Sequence, residues 1–590
     1  MLILGISCFF HDASAVLLDD GELLCAAEEE RFTRIKHDYD FPTNAINFCL
    51  KQAEVTGADI DYVVFFEKPF IKFERLLKTA ISGFPRSYRL FEQSMRAWLF
   101  DKLWIRNLIQ HEMGIPKSKI IFSDHHLSHA SSTYFCSPFQ DAAVLTIDGV
   151  GEWSTATMGS ASGTKLLTTR ELHFPHSLGL LYSAFTAFLG FEINEGEYKV
   201  MGMAPYGEPK YTDEVERVVK ISEDGSIWMD PAYFQFHFGT GRSYSGKFEE
   251  LFGAPRDPNV PFVTANTGIP SYYEDEVGHT PSLFDYNQRY ADIAASIQTV
   301  VEEIILKMAR HLHSQTGAKN LCLAGGVALN SVANGRILRE TEFQEIYVQP
   351  SAGDGGGSLG AALYAWHGGL GKTDRFIMDH TYWGQQYTDA EIKSSLDEAG
   401  LSAQEFNSQD ELVRESVDRL TSGKVIGWFQ GKFEWGPRAL GNRSILADPR
   451  KAEMKDIVNT KIKFREPFRP FAPAVTLEAA PDFFDIPETA NGMPERFMLL
   501  VVPVLETKSD QIPAVNHLGT ARVQVVHHEA NPLYSDVIAT FGDATGTPVL
   551  MNTSFNIRGE PIVSSPEDAI RTFGNSGIDT LVIGNFLVEK

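Results

Sequence analysis

The feature that most constrains this 590-residue chain is a pattern that occurs twice. At the start, apolar stretches run from Leu2 to Ser7 and from Ala13 to Leu18, turn at Asp19-Asp20-Gly21, and resume from Glu22 to Ala27. Asp-Gly between apolar runs is a hairpin signal. The pattern returns as AAVLTID from Ala142 to Asp148, a polar turn with Gly149 and Gly151, then WSTATMGS, a turn, and KLLTTREL. Two copies of strand, turn, strand, turn, strand read as a degenerate internal duplication. Two such meanders facing each other would enclose a cleft. Hairpins also occur in any mixed α/β protein, so the pattern alone leaves both readings open.

The rest of the first half is consistent with α/β order. Apolar positions from Ile293 to Leu312 fall near a 3.6 period, which predicts one long helix over Tyr290 to Gln315. Asn320 to Ala324 reads as a buried strand ending in Gly325-Gly326, and GDGGGSLGAALYAW repeats the idea over Gly353 to Trp366. A strand, a glycine turn and a helix can present backbone N–H groups to a ligand. HGGLGKTDR, from His367 to Arg375, is glycine-rich and polar, as linkers are. A new unit with a helix starting at Asp389 follows. The expected division is residues 1–370, a linker over 371–384, and a second domain over 385–590.

Composition removes several function classes. Apolar residues at 43% and charged residues at 22% are ordinary for a globular chain, which excludes disorder and fibre. No apolar run is long enough for a membrane span, and MLILGISCFF lacks a basic region before it, so it reads as a strand rather than a signal peptide. The five cysteines form no C-x-x-C pair, which fits reduced cytoplasmic thiols and opposes a thiolate zinc site. A net charge of −25 opposes a broad nucleic-acid surface but permits a basic pocket for small anions.

Asp124-His125-His126-Leu127-Ser128-His129 is the most pointed local signal. On a helix, His125 and His129 share one face and could share a metal. Two neutral imidazoles favour iron, zinc, copper or nickel over magnesium and call for a carboxylate partner. Asp148 and Asp354 are the candidates; a polar helix start is the plainer alternative. His11, at the first strand turn, could be a general base, since the free pKa of histidine lies near neutral, or simply a satisfied turn residue. EGEYKVMG, Glu195 to Gly202, could hydrogen-bond ribose or phosphate, or form a solvated loop.

The second unit concentrates cationic motifs in an acidic chain: WGPRALGNRS with Arg438, KFREPFRP with Lys463, Arg465 and Arg469, TAR with Arg522, and NTSFN with Asn552, Ser554 and Asn556. Arginine forks bind phosphate and carboxylate bidentately. Lys463 and Arg465, two apart on an extended strand, would point to one face, as would Ser554 and Asn556. Interleaved with Gly, Pro and Phe, these stretches suit a phosphate pocket better than a charged surface.

Taken together, HDASA, EEERFTRIKHD, DHHLSHA, EGEYKVMGMAPYG, GGVALN, GDGGGSLGAA, WGPRALGNRSILADPR, KFREPFRPFAP, TARVQ and NTSFNIRGEPIV cover essentially the whole chain. In this order they resemble the O-carbamoyltransferases of nodulation and antibiotic-tailoring pathways. The resemblance implies an α/β protein of two domains. The first would be a duplicated actin/Hsp70/sugar-kinase-like domain similar to the tRNA threonylcarbamoyladenosine synthesis protein. The second would be a YrdC-like domain, whose K-x-R and S-x-N signatures match Lys463/Arg465 and Ser554/Asn556.

It also implies a two-stage reaction. Carbamoyl phosphate loses phosphate, and the carbamate attacks ATP, with Mg2+, to give carbamoyl-adenylate and pyrophosphate. The adenylate then carbamoylates a hydroxyl of a small-molecule acceptor. By motif, His125, His129, Asp148 and Asp354 would hold a divalent metal, iron(II) being expected, and His11 would deprotonate the acceptor. Lys36, Glu197, Lys199, Gly325, Gly326 and Asn330 would contact the nucleotide. Arg438, Lys463, Arg465, Arg469, Arg522, Asn552, Ser554 and Asn556 would bind carbamoyl phosphate and ATP. Both intermediates suffer in water, so an internal passage between the two sites is expected.

Three rivals are weaker. Threonylcarbamoylation of tRNA needs a basic surface, which −25 opposes. Carbamoyl transfer to a thiol in hydrogenase maturation implies the reverse domain order and cysteine-pair zinc motifs. A non-catalytic nucleotide sensor would not need the His/His/Asp set or the arginine-rich second domain. Acceptor contacts are expected at Phe9, Phe10 and Asp12, and in the aromatic stretches Lys68 to Trp104 and Asp230 to Pro281. Phe70, Phe73, Phe84, Tyr88, Phe91, Tyr233, Phe234, Phe236, Phe238 and Tyr244 lie there. That lining suits an apolar or glycosylated antibiotic such as a polyketide; packing of a lid or a dimer face is an equal alternative. A cytoplasmic homodimer acting on no nucleic acid or membrane is the accompanying expectation.

Overall fold

The computed structural model describes residues 1–100, 102–239, 241–269, 281–489 and 492–590. They divide into two compact units, each described by itself. The first holds Met1–Cys25, Tyr39–Ile269 and the chain from residue 281 through Ile377; the second holds Ala26–Asp38 and Met378–Lys590.

In the first unit, β1 (Leu2–Ser7), β2 (Ser14–Asp19), β3 (Glu22–Glu28), β4 (Tyr62–Phe65) and β5 (Ile120–Phe122) form one sheet in the order β3-β2-β1-β4-β5. β1 runs antiparallel to β2, with Leu2 opposite Asp19, and parallel to β4. The second sheet contains β6 (Asp141–Ile147), β7 (Ser154–Ser162) and β8 (Lys165–His173). A short hairpin of β9 (Val219–Ile221) and β10 (Ile227–Met229) stands apart, and β11 (Asn320–Ala324) and β12 (Glu345–Val348) complete the sheet as β12-β11-β6-β7-β8. β6 is antiparallel to β7 and parallel to β11. Counted within each sheet, both orders are third-second-first-fourth-fifth, with the same strand directions. The meander is duplicated, and the doubled five-stranded sheet is the topology of the actin/Hsp70/sugar-kinase class. Central β1 reads as a continuous apolar run because it is covered on both faces: Ile3, Leu4 and Ile6 are fully buried.

The helix His125–Tyr134 packs on the helix Gly357–Tyr364. Their backbones approach so closely that a Cβ on Gly360 would lie 1.7 Å from the carbonyl oxygen of Ser128. The expected long helix runs Pro281–Thr316, longer than its periodicity suggested at the N-terminal end. Within the stretch read as a linker, one side chain is firmly held. Arg375 donates to the carbonyls of Tyr134, Ser137 (3.0 Å) and Phe139 (2.7 Å), closing the end of the His125–Tyr134 helix.

The second unit is built on an eight-stranded mixed sheet. Its strands are β13 (Gln404–Glu405), β14 (Ile426–Phe429), β15 (Arg443–Ala447), β16 (Ala472–Thr476), β19 (Gln524–Val526), β20 (Val549–Ser554), β21 (Thr580–Ile583) and β22 (Phe586–Glu589), with β17 (Val501–Pro503) and β18 (Thr520–Arg522) paired apart. The order is β13-β22-β21-β14-β15-β20-β16-β19. Trp428, Tyr534, Phe541, Leu550 and Val582 lie in its core. Residues 26–38 belong to this unit: Gly436 donates its N–H to Glu28 (2.9 Å), and Arg34 donates to the carbonyls of Pro561 (2.7 Å) and Ile562 (2.6 Å). All five cysteines are buried thiols. Among the described residues, no helix is long and apolar enough to cross a membrane.

Candidate functional site

In the first unit, three chain segments bring together four side chains that could ligate a metal. His125 opens the His125–Tyr134 helix, and His129 follows one turn later on the same face. Asp148 follows the end of β6, and Asp354 opens the glycine turn after β12. His125 Nε2 lies 3.0 Å from Asp148 Oδ2, 3.1 Å from His129 Nε2 and 3.6 Å from Asp354 Oδ1. His129 Nε2 is 3.5 Å from Asp354 Oδ1. One ligating atom from each residue lies within 4.8 Å of all the others, and all four residues are buried.

The local electrostatics are those of buried carboxylates facing imidazoles. Neither oxygen of Asp354, which is fully buried, accepts a hydrogen bond. A buried carboxylate in that state demands positive charge. Burial would lower the His125 pKa, but Asp354 and hydrogen bonding to Asp148 drive it well above the ordinary value. Burial would raise Asp148, but its hydrogen bonds to His125 and His129 hold it well below the carboxylate range. Two imidazoles and two carboxylates fit a divalent transition metal.

His11 stands beside this cluster. Its Nδ1 is 2.8 Å from Asp12 Oδ2, and its Nε2 is 4.0 Å from Asp354 Oδ2. Burial opposes protonation of His11, yet Asp354, Asp12 and Asp148 raise its pKa to about 9. A dication on those carboxylates would cancel the field and favour the neutral imidazole. The turn is strained: Phe9 and Asp12 have φ of 73° and 53°. The Phe9 N–H donates to Tyr39 O (2.6 Å), and the exposed Phe10 ring lies 4.9 Å from Lys72 Nζ.

The residues expected around the nucleotide have the following surroundings. Gly325 N–H donates to Ala352 O (2.8 Å) and Gly326 N–H to Asp148 Oδ1 (2.9 Å). In this turn both amides are bonded within the protein, one of them to the Asp148 carboxylate. The Asn330 side chain caps the Ser331–Glu340 helix and pairs with Gln298. Glu197 and Lys199 lie on a helix, Glu197–Met203, not a loop; Glu197 accepts from Ser183 Oγ (2.8 Å), and Lys199 lies over Phe191. Lys36 falls in the second unit.

Of the aromatics, Phe70, Phe84 and Tyr88 are exposed. Phe234 and Tyr244 are buried against Phe248 and are core residues. Residues 101, 240 and 270–280 of those stretches lie outside the described residues.

In the second unit, Lys463 is the centre of a cluster. Its Nζ reaches Asn556 Oδ1 (2.7 Å), Ser554 Oγ (3.1 Å) and the carbonyls of Ser554 and Asn556. Lys463 and Arg465 are not on a strand. Lys463 ends the helical turn Val458–Lys463, and Phe464, at φ 47°, reverses the chain so that Arg465 N–H returns to Asn459 O (3.2 Å). The Arg465 guanidinium lies 4.5 Å over the Phe471 ring, and Arg469 is 3.5 Å from Glu466. Burial, then Arg465 and Arg469, hold the Lys463 amine well below the ordinary lysine value; Lys36 adds to this.

The loop carrying Arg438 is folded on Glu434, which accepts the N–H groups of Leu440 (2.8 Å), Asn442 (2.8 Å) and Arg443 (3.1 Å). Asn552 ties that loop to the sheet through Ala439 O (3.1 Å) and Gln524 (2.7 Å). Arg522 ends β18.

Sequence reasoning missed Glu67, Glu152 and Glu434. Each is buried, and a carboxylate inside an apolar run such as VVFFEKP was the available signal.

Comparison with known proteins agrees with this two-part layout. Residues 2–363 match the family model described as carbamoyltransferase N-terminus, and residues 417–590 the one described as carbamoyltransferase C-terminus. An uncharacterized protein of Synechocystis is 44% identical over all of this chain and 96% of its own length. The nodulation protein NolNO of Sinorhizobium fredii is 38% identical over 99% of this chain and 79% of its own. Nodulation protein NolO of Bradyrhizobium diazoefficiens is 38% identical over 79% of each. With both halves matched in order and the similarity running the length of the chain, this protein belongs to the carbamoyltransferase family and is an enzyme of that class.

Proposed function

We propose that this carbamoyltransferase consumes carbamoyl phosphate and ATP and delivers the carbamoyl group to a hydroxyl of a natural product. In the second unit, carbamoyl phosphate is hydrolysed to carbamate and phosphate. A carbamate oxygen then attacks the α-phosphate of ATP, carried with Mg2+, and pyrophosphate leaves. In the first unit, the acceptor hydroxyl oxygen attacks the carbonyl of carbamoyl-adenylate. A C–O bond forms to the acceptor, the C–O bond to AMP breaks, and the hydroxyl proton passes to a base.

The buried convergence of His125, His129, Asp148 and Asp354, with the unsatisfied Asp354 carboxylate, is the observation that best supports the reading. A divalent metal held there, iron(II) in this reading, would supply Lewis-acid stabilisation of developing oxyanion charge. His11 Nδ1–H donates to Asp12, which leaves Nε2 to take the hydroxyl proton. Lys463, with Ser554 and Asn556, offers a cation on a pre-shaped polar cradle, as a polyanionic substrate needs. Arg438, Arg465, Arg469 and Arg522 would add charge to that pocket. Exposed Phe10, Phe70, Phe84 and Tyr88 favour an acceptor with apolar surface, such as a glycosylated polyketide antibiotic.

The test is pyrophosphate release from the purified chain, omitting each component in turn. Release that requires carbamoyl phosphate and rises with one member of a panel of hydroxylated natural products supports the reading. Release from ATP alone, or none with iron(II) supplied, refutes it.

A further inference from the structure

We infer that Glu67 and Glu152, which no motif singles out, are positioning residues that aim His125 at the metal quartet; the inference rests on the metal reading proposed above. Nε2 of the imidazole faces Asp148, His129 and Asp354, and Nδ1 faces the other way. The polar atom across from Nδ1 is Glu67 Oε2, 3.8 Å off, at the separation of a direct charge attraction. Nδ1 is buried and has no hydrogen-bond partner. A carboxylate behind the far nitrogen fixes which nitrogen carries the proton and leaves the near one for coordination. Glu67 follows β4 and is itself held by Lys72 at 2.5 Å, both being buried.

Glu152 grips the same residue by its backbone. Its two oxygens accept the His125 N–H at 3.1 and 3.2 Å, and Oε1 also accepts the Lys68 N–H at 2.7 Å. It therefore serves an N–H at the first turn of the His125–Tyr134 helix, which that helix cannot satisfy itself. The neighbouring residue, Gly151, leaves room for the ring: a Cβ there would lie 2.9 Å from His125 Cδ2. Ring tautomer, ring space and backbone are thus each set from outside the quartet. His129 Nδ1, by contrast, has no hydrogen-bond partner and no such carboxylate pair among the described residues.

The experiment titrates cobalt(II) into the full-length metal-free chain and reads affinity together with the visible ligand-field spectrum. Wild type, Glu67→Gln, Glu152→Gln and His125→Ala are compared, with the melting temperature of each metal-free protein as the folding control. Loss of an outer partner of a ligand histidine costs about 10–100-fold in metal affinity. The expected result is a loss of that size in each Gln variant, with an altered spectrum and a folded protein. Glu67→Gln leaves Lys72 buried beside an uncharged amide, so the double variant Glu67→Gln/Lys72→Met, which removes both charges, reads the same affinity if the single variant unfolds. Wild-type affinity and spectrum in the Glu67 variants, alongside loss of metal in His125→Ala, would overturn the inference and leave the site standing. Wild-type affinity in His125→Ala would overturn the site itself and the inference with it.

Discussion

Gly360→Ala perturbs the candidate metal centre without touching a ligand. The helix that begins after the Asp354 turn lies backbone to backbone on the helix bearing His125 and His129. The added methyl would sit 1.7 Å from Ser128 O, where a carbon and a carbonyl oxygen need about 3.3 Å. Both groups belong to regular helices, so no flexible side chain can yield. The helices must part by about 1.6 Å, against a tolerance of about 0.2 Å in metal–ligand distances. A structural four-ligand site is worth about 10–16 kcal/mol, so one ligand's share is about 3 kcal/mol, or roughly a hundredfold in affinity. Overpacking itself costs about 1–3 kcal/mol of stability.

The assay is metal affinity by calorimetry, together with separate rates of pyrophosphate release and carbamoyl transfer. Affinity and transfer should both fall about a hundredfold, while pyrophosphate release, assigned to the second unit, persists. Gly369→Ala is the control, because its Cβ meets only Tyr364 O, at 3.9 Å. A folded Gly360→Ala protein with wild-type metal affinity would refute the reasoning.

Three further outcomes are expected. Lys463→Met should lower carbamoyl-phosphate-dependent pyrophosphate release about 10²–10³-fold per folded molecule, and should also lower the melting temperature, because it strips the donor from the buried oxygens of Ser554 and Asn556. Binding of carbamoyl phosphate should weaken as pH rises. Lys463 has a depressed pKa, and a bound phosphate raises it. Below the free-state value the lysine is charged in both states and affinity is flat; above it, binding must take up a proton. Calorimetry in buffers of different ionisation enthalpy checks this, and proton release on binding would contradict it. Arg375→Ala strips the charged donor from three carbonyls at the end of the His125–Tyr134 helix and should cost about 2–4 kcal/mol, read as a lower melting temperature. An unchanged melting temperature would show that these contacts do not hold the segment.

What could be read from the chain followed the range of the interactions. The meander repeat was legible because strand alternation and tight turns are local, and the two sheets share one strand order. The His125–His129 pair was legible because a helix brings i and i+4 together. Asp148 and Asp354 were legible as candidates, since each follows a buried strand next to glycines. The carboxylates behind His125 were not, because Glu67 and Glu152 reach it through tertiary contacts spanning tens of residues.

Lys463 and Arg465 misled because K-x-R spacing carries no sign of conformation. An extended strand was assumed for the pair, yet the chain forms a helical turn there, ended by left-handed Phe464. The partners of the Gly325 and Gly326 amides were not legible, since a glycine turn does not reveal what accepts its N–H groups. The anchoring of Arg375 was not legible either, because its partners are backbone carbonyls, which have no sequence signature.

The central claim is that the carbamoyl group passes through an adenylate. It is tested most directly by incubating the chain with carbonyl-13C-labelled carbamoyl phosphate, ATP, Mg2+ and iron(II), quenching rapidly, and weighing the nucleotides by mass spectrometry. The account predicts a labelled carbamoyl-AMP, with pyrophosphate formed in equal amount and the label moving to an added acceptor as AMP appears. Label reaching an acceptor with no carbamoyl-AMP and no pyrophosphate, or ATP converted to ADP instead, would contradict it.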